Sequence, residues 1–219
     1  MIEILYQDAD ILVCIKPTGI AVEGTKPDLC TLLAEQTGTP VYAVHRLDAP
    51  VGGVMVFART QAAAATLCRN VAERSMNKEY LAVVGGTPEP ADGALRDWLY
   101  HDARANKTFV VKKQRKGVKE AVLDYRTLGT AVIDGSPAAL VRVRLHTGRT
   151  HQIRAQFAGH KHPLAGDGRY GSRLKGPVAL FSTALHFVHP VSGEALSFTA
   201  FPPQEGFWQS FASVLQPNP

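Results

Sequence analysis

Val41-Tyr42-Ala43-Val44-His45-Arg46-Leu47-Asp48, then Ala49-Pro50-Val51-Gly52-Gly53, then Val54-Met55-Val56-Phe57-Ala58-Arg59, is a pair of apolar runs separated by a charged segment and a Pro/Gly turn. Apolar runs of roughly four to eight residues bounded by turn residues read as buried strands. Asp48 therefore falls where a strand ends and a turn begins. A carboxylate in such a place has to be paired or hydrogen-bonded, and Arg46, two residues back, shares its face if both are extended. On these residues alone the simpler reading is a structural aspartate that caps the turn and pairs with an arginine.

The neighbouring segments extend the pattern. Ile2 to Tyr6 and Ile11 to Ile15, separated by Gln7-Asp8-Ala9-Asp10, read as a strand pair closed at Lys16-Pro17-Thr18-Gly19. Asp28 is placed to cap a short helix through Leu32, Leu33 and Gln36 that stops near Gly38 and Pro40, and Thr60 to cap a second through the Ala62 to Ala65 run, Leu67 and Val71. Lys78 to Val84 reads as a strand with Tyr80, Ala82 and Val84 on one face, and strands follow near Ala94 to Leu99, Lys107 to Val111 and Ala121 to Leu128. Leu140 to Leu145 alternates, with Val141 and Val143 facing one way and Arg142 and Arg144 the other, as a half-buried strand does. Thr147-Gly148-Arg149-Thr150 leads into a helix from His151 to Ala158, stopped by Gly159, whose N-terminus after Gly148 suits anions. The tail reads as a strand near Val178 to Phe181, the segment Ala184 to Pro190, a strand from Ala195 to Phe201, and a C-terminal helix carrying Phe207, Phe211 and Val214. With no βαβ rhythm and most strands close enough for hairpins, the class is α+β with a mixed, mainly antiparallel sheet, in one domain over residues 1–219.

Composition narrows the chemistry. The chain carries 24 Lys and Arg against 19 Asp and Glu, net +5, which permits a polyanionic partner. The excess is concentrated: Arg104, Lys107, Lys112, Lys113, Arg115, Lys116 and Lys119 occur with no acidic residue from Arg104 to Lys119, so an exposed hairpin tip at Lys112 to Gly117 is expected to meet phosphate. Cys14, Cys30 and Cys68 form no Cys-x-x-Cys pair and read as core thiols in a reducing compartment. No run of some 18 apolar residues occurs, so a cytoplasmic location without a membrane is expected. Phosphate-binding P-loop, dinucleotide and Gly-x-Ser-x-Gly signatures are all missing. His160-Lys161-His162 beside His151 and Asp167 raises a metal site, set aside because the histidines precede Pro163 in a loop without a second ligand group.

Three blocks in order, His45-Arg46-Leu47-Asp48, Lys78-Glu79-Tyr80-Leu81-Ala82-Val83-Val84-Gly85, and Thr147 to Arg154 continued by Gly159-His160-Lys161-His162-Pro163-Leu164-Ala165-Gly166-Asp167, closely resemble the RluA-type pseudouridine synthases. Asp10 to Gly19 and Leu185-His186-Phe187 to His189-Pro190 match as well, so the resemblance spans Ile4 to Pro202. It implies a long bent mixed sheet flanked by helices and cut by a cleft. It also implies that Asp48 is the catalytic aspartate, that Tyr80 stacks on the target uracil and that Arg154 pairs with the aspartate, Arg149 being the second candidate for that pairing. Arg46 then helps displace the target base and Leu185 lines the pocket. His45, Arg149 and the basic tip of Lys112, Lys113, Arg115 and Lys116 complete the expected RNA contacts. No cofactor and no metal are implied, and a monomer is expected. Many relatives have Thr-Ser-Gly where this chain has Val51-Gly52-Gly53, which removes hydroxyls and keeps the last glycine. Many also carry an S4-like RNA-binding domain, whereas this sequence starts on the catalytic part, so RNA selection is expected from the catalytic domain itself.

The chemistry agrees with these roles. Isomerising uridine breaks the C1′ to N1 bond and makes a C1′ to C5 bond, so the base must leave the stack, rotate and return. An ionised carboxylate can attack C1′ or remove a proton to start elimination at C2′; both routes stay open. An arginine favours the ionised carboxylate, and an aromatic ring holds the extruded pyrimidine. The expected substrate is structured ribosomal or transfer RNA. The rivals are a nucleic-acid N-glycosidase, in which water takes the sugar, and an RNA-binding protein that has lost catalysis.

Overall fold

The computed structural model describes residues 1–215. In chain order its strands are β1 (Glu3–Gln7), β2 (Ile11–Lys16), β3 (Tyr42–Ala43), β4 (Gly52–Ala58), β5 (Asn77–Gly85), β6 (Asp92–Asp102), β7 (Lys107–Val111), β8 (Val118–Ile133), β9 (Ser136–Leu145), β10 (Leu180–Val188) and β11 (Ala195–Thr199). The α-helices are α1 (Leu29–Thr37), α2 (Gln61–Ala72) and α3 (Gln152–Gly159). With eleven strands, one parallel pairing and the other registered pairings antiparallel, the fold is the expected α+β with a mixed, mainly antiparallel sheet. The chain divides into two compact units, Met1–Glu79 with Phe181–Pro202, and Tyr80–Leu180 with the residues from Pro203 onward.

In the first unit the order is β1-β2-β4-β10, with β11 on β10 and β3 on β4. The β1–β2 turn forms because Asp8 accepts the N–H groups of Asp10 and Ile11, each at 2.8 Å. Its other carboxylate oxygen takes the Tyr6 hydroxyl at 2.8 Å and His189 Nε2 at 2.9 Å. His189 Nδ1 accepts the Ser192 N–H, so the proton on its ring sits at Nε2 and is donated to Asp8. Asp8, Asp10 and His189 offer ligand atoms within 4.8 Å of one another, but these bonds already occupy Asp8 and His189 as a clasp between the first turn and the end of β10. Both expected caps form: Asp28 accepts the Thr31 N–H, Gly38 closes α1 at φ 70°, and Thr60 accepts the Ala63 N–H. β4 runs antiparallel to β2 and parallel to β10, and all seven of its residues are buried, which is why its sequence is apolar without alternation.

Gly53 is where the parallel contact is made. Its φ is +121°, and a Cβ there would lie 2.3 Å from the Ser182 carbonyl oxygen and 2.5 Å from the Ser182 nitrogen, both backbone atoms. Neither conformation nor space admits a side chain, which explains why a glycine stands at position 53. Gly53→Ala is expected to cost about 3 kcal/mol or more, read as a lower urea midpoint; co-melting with the parent chain would contradict this packing.

In the second unit the order is β5-β9-β8-β6-β7, which makes β7 an edge strand. The expected alternation of β9 holds: Val141 and Val143 are buried, Arg142 and Arg144 exposed. α3 packs beneath β6 and β8 through Leu99, Ala121, Ala155 and Tyr170. β8 is longer than the expected strand near Ala121 to Leu128 and absorbs an irregularity between Thr127 and Gly129, which the local sequence does not announce.

Three other expectations change. The separate tail segments around Val178 to Phe181 and Ala184 to Pro190 are one strand, β10. The C-terminal helix is a 3-10 helix at Gly206–Phe211 that buries Trp208 and Phe211 while Val214 is exposed, so its stripe has the three-residue period of 3-10 geometry. Cys68 is exposed on α2, unlike buried Cys14, because α2 turns only Ala63 and Leu67 fully inward.

Candidate active site

The aspartate sits on a turn whose support is a lysine. Asp48 follows irregular chain, and its carbonyl accepts the Val51 N–H at 2.9 Å, closing a turn over Ala49 and Pro50. Lys16, at the end of β2, is wholly buried, and its Nζ donates to the carbonyls of Pro17 at 2.9 Å, Ala49 at 3.1 Å and Val51 at 2.8 Å. One ammonium thus satisfies two carbonyls of the turn that follows Asp48 and one beside Lys16 itself, the right number for its three donors. Burial lowers the Lys16 pKa to about 8, and the Asp48 charge works in the opposite sense. Lys16 was legible only as the end of a strand. A lone charge closing the run Ile11 to Ile15 was the signal available.

This burial predicts a pH dependence with a fixed sign. Folded Lys16 gives up its proton near pH 8, whereas unfolded lysine holds it to about 10.4. Across that window the unfolded chain binds more protons, so the contribution of Lys16 to stability rises with pH. The unfolding free energy of the parent chain minus that of Lys16→Met, followed from pH 7.5 to 10.5, is expected to increase. A flat difference would mean that the ammonium is solvated.

His45 and Arg46 precede Asp48. His45 Nε2 accepts the Val56 N–H of β4 at 3.3 Å, so a neutral ring carries its proton on Nδ1, a buried atom with no hydrogen-bond partner among the described residues. Desolvation of the ring, with the Lys78 charge adding to it, holds its pKa well below the usual histidine range. Arg46 is exposed, and Leu185, in the middle of β10, is fully buried.

In the second unit Tyr80 lies on β5 and is almost entirely buried. Arg154, on α3, is buried as well. Its Nε meets Asp167 Oδ2 at 2.6 Å and its Nη2 meets Oδ1 at 2.9 Å, the two-pronged geometry of a strong guanidinium–carboxylate pair. The guanidinium carbon also lies 5.1 Å from the centroid of the Tyr170 ring. Asp167 closes the third sequence block and stands beside the histidines, with no role assigned by the sequence. The structure makes it the carboxylate that fixes the plane of Arg154.

The loop before α3 is pinned to β8 by its own side chains. Thr147 Oγ1 accepts the Val122 N–H at 2.9 Å and donates to Gln152 Oε1 at 2.8 Å, while Gln152 Oε1 accepts the Arg149 N–H and Nε2 donates to the Val122 carbonyl. Arg149 Nε donates to the Glu120 carbonyl at 2.9 Å. These bonds explain the Thr and Gln of the Thr147 to Arg154 block as a frame that presents Arg149. His151, at φ 53°, takes the left-handed conformation that starts α3 and bonds the Tyr170 hydroxyl through Nδ1 at 2.9 Å.

The basic tip is as exposed as its composition requires. Lys112, Lys113, Arg115 and Lys116 are all solvent-facing, and the Arg115 guanidinium lies over the Tyr100 ring at 5.4 Å. Among the described residues no carboxylate pairs with any of the four. Exposed Phe109 and Val110 on β7 adjoin them.

Comparison with known proteins places the chain. The family model for RNA pseudouridylate synthase matches residues 10–159. The tRNA pseudouridine synthase C of Haemophilus influenzae is 32% identical over 91% of this chain and 92% of its own. The ribosomal large subunit pseudouridine synthase D of Xanthomonas campestris pv. campestris is 34% identical over 93% of this chain and 67% of its own. In fold, the structure of human RNA pseudouridylate synthase domain containing 1 superposes with a TM-score of 0.81, at 22% identity, over 100% of this chain and 97% of that one. The chain belongs to the RNA pseudouridylate synthase family, isomerases that convert uridine in RNA to pseudouridine. No helix among the described residues is long and apolar enough to cross a membrane.

Proposed function

We propose that this isomerase acts on a uridine in structured ribosomal or transfer RNA, in the cytoplasm and as a monomer, with residues 1–219 serving as one catalytic domain. The observation that carries the residue roles is the turn at Asp48, a carboxylate displayed directly before a bend that a buried ammonium holds in place. Asp48 is the group that attacks C1′ or opens elimination at C2′. Arg154, oriented by Asp167, supplies the positive charge that keeps such a carboxylate ionised. Tyr80 supplies the ring on which the extruded uracil stacks, a contact worth roughly 1 to 3 kcal/mol, and Leu185 lines the base pocket. His45, Arg46 and Arg149 contact the RNA, Arg46 taking part in displacing the base. The match to relatives named for transfer RNA and for the large ribosomal subunit supports both substrate classes.

The direct test incubates the purified chain with unmodified transfer and ribosomal RNA transcripts and maps pseudouridine by site. A mass-neutral conversion at a defined uridine is the expected result. Release of free uracil would replace the isomerase by a glycosidase, and no chemistry on either RNA would remove both substrate classes. The basic tip is tested separately: exchanging Lys112, Lys113, Arg115 and Lys116 for glutamine should weaken RNA binding and flatten the plot of log affinity against log salt by roughly 2 to 4 in slope. An unchanged slope would make the tip a solvated hairpin only.

A further inference from the structure

Within the second unit a cavity of about 290 Å³ opens between β6, β7, β8 and the loop before α3, with Leu99, His101, Thr108, Gly117, Lys119, Gly148, Arg149 and Thr150 lining it. Its lining holds two permanent cations, an imidazole and two hydroxyls, and no carboxylate. The acidic residues next in sequence to Lys119 and His101 are engaged elsewhere: Glu120 binds Arg96 at 2.7 Å, and Asp102 accepts the N–H groups of Arg104 and Ala105. Lys119 makes no ion pair or hydrogen bond through Nζ among the described residues, and Arg149, tethered by Nε to the Glu120 carbonyl, has both Nη groups uncommitted there. The hydrogen bonds of His101 and Thr108 are closed in a relay. Thr108 Oγ1 gives its proton to the Thr150 carbonyl at 2.8 Å and so receives from His101 Nδ1 at 3.1 Å. A neutral His101 therefore carries its proton on Nδ1 and has only an acceptor at Nε2, so the donors left for an anion are the Lys119 ammonium and the Arg149 Nη groups.

The geometry points to a phosphate-binding subsite here, one that takes a phosphodiester of the RNA substrate at a nucleotide other than the target uridine. Concentrated positive charge without an internal counter-ion is what an anion requires, and the fixed Nε tether aims the Arg149 fork that suits two phosphate oxygens. Gly148, with nothing within 4 Å of where a Cβ would stand, leaves the approach along the loop open. The cavity adjoins the exposed tip, whose last residue Gly117 lines it, but its cations are Lys119 and Arg149 and none of Lys112 to Lys116. The tip offers solvent-facing charge to any polyanion, whereas the cavity admits one anion in a defined position. The inference rests on the reading that the chain acts on RNA.

Two measurements on the full chain test it. Inorganic phosphate, titrated into the isotope-labelled protein against chloride at matched ionic strength, is expected to give saturable amide shifts at Gly117, Gly148 and Thr150, and Lys119→Glu to abolish saturation. Shifts that chloride reproduces, or that fall on Lys112 to Lys116 and spare the cavity, would overturn the subsite. Binding of bulk transfer RNA is then followed against salt. Lys119→Gln should lower the log–log slope by about one and raise KM roughly tenfold, with the greater part of the loss in KM. Arg69→Gln, an exposed charge on α2, is the control expected to leave the slope alone. Equal slopes for both variants would also overturn the proposal. Failure of the isomerase reading looks different, because the phosphate titration would persist while no pseudouridine formed.

Discussion

Asp48→Asn is expected to reduce uridine isomerisation by about a thousandfold or more while the chain still folds and still binds RNA. The magnitude is that of removing a group that acts covalently or as the base in the rate-determining chemistry. The exchange is nearly isosteric, and the turn does not hang on the carboxylate: Val51 is bonded to the main-chain oxygen of Asp48, and Lys16 to the carbonyls of Pro17, Ala49 and Val51. Asparagine keeps those main-chain bonds and loses the charge and the nucleophile. Turnover near that of the parent chain would remove Asp48 from the mechanism. A second readout separates charge from fold. The Asp48 carboxylate raises the affinity of Lys16 for its proton against the effect of burial, so in Asp48→Asn the Lys16 titration near pH 8 should move to lower pH. A Lys16 titration that moved to higher pH instead would mean a displaced turn that lets water reach the ammonium, and the rate loss would then come from the fold.

The outline of this fold is written locally. The β1–β2 pair, both helix caps and the alternation of β9 follow from residues within a few positions of one another, because Asp28, Thr60 and Asp8 bond their own neighbours in the chain. Elements set by distant partners were not legible. β10 is continuous because Phe181 and Ser182 pair with Gly52 and Gly53 while Ala184 to Val188 pair with β11, and no short window contains both partners. β8 is long because β6 and β9 cover different stretches of it. The candidate site divides in the same way. Asp48, Tyr80 and Arg154 stand in recognisable motifs. The matching segments also contain their supports, Lys16 and Asp167, but not the supporting role, since a buried lysine under a turn more than thirty residues away reads in the sequence as an ordinary strand end, and the partner of Asp167 lies 13 residues back on α3. Only the three-dimensional partners of these two charges reveal that they are placed to hold other groups still.

Asp167→Ala carries the largest expected stability effect. Asp167 and Arg154 are 1% and 5% exposed, and they meet through two hydrogen bonds of 2.6 and 2.9 Å. Removing one partner of such a pair leaves the other charge buried, at a cost of about 3 to 5 kcal/mol. Surface pairs such as Arg96 with Glu120 are worth a fraction of that. The exchange should appear as a fall in the urea midpoint at constant slope. Replacing both residues by leucine should cost less than the sum of the two single changes, because neither charge is then left buried without the other. The functional consequence follows from orientation. Asp167 takes the Nε–Nη2 edge of the guanidinium, and its own backbone is set by Gly166, whose φ of +77° and closeness to the Pro177 carbonyl leave no room for a side chain. Asp167→Asn, which retains the shape and one acceptor, is therefore expected to lower kcat more than it raises KM, as a positioning defect does. A change confined to KM would make the pair a fixture of the core alone. Full stability in Asp167→Ala would mean that water reaches Arg154 and that its burial is not what constrains it.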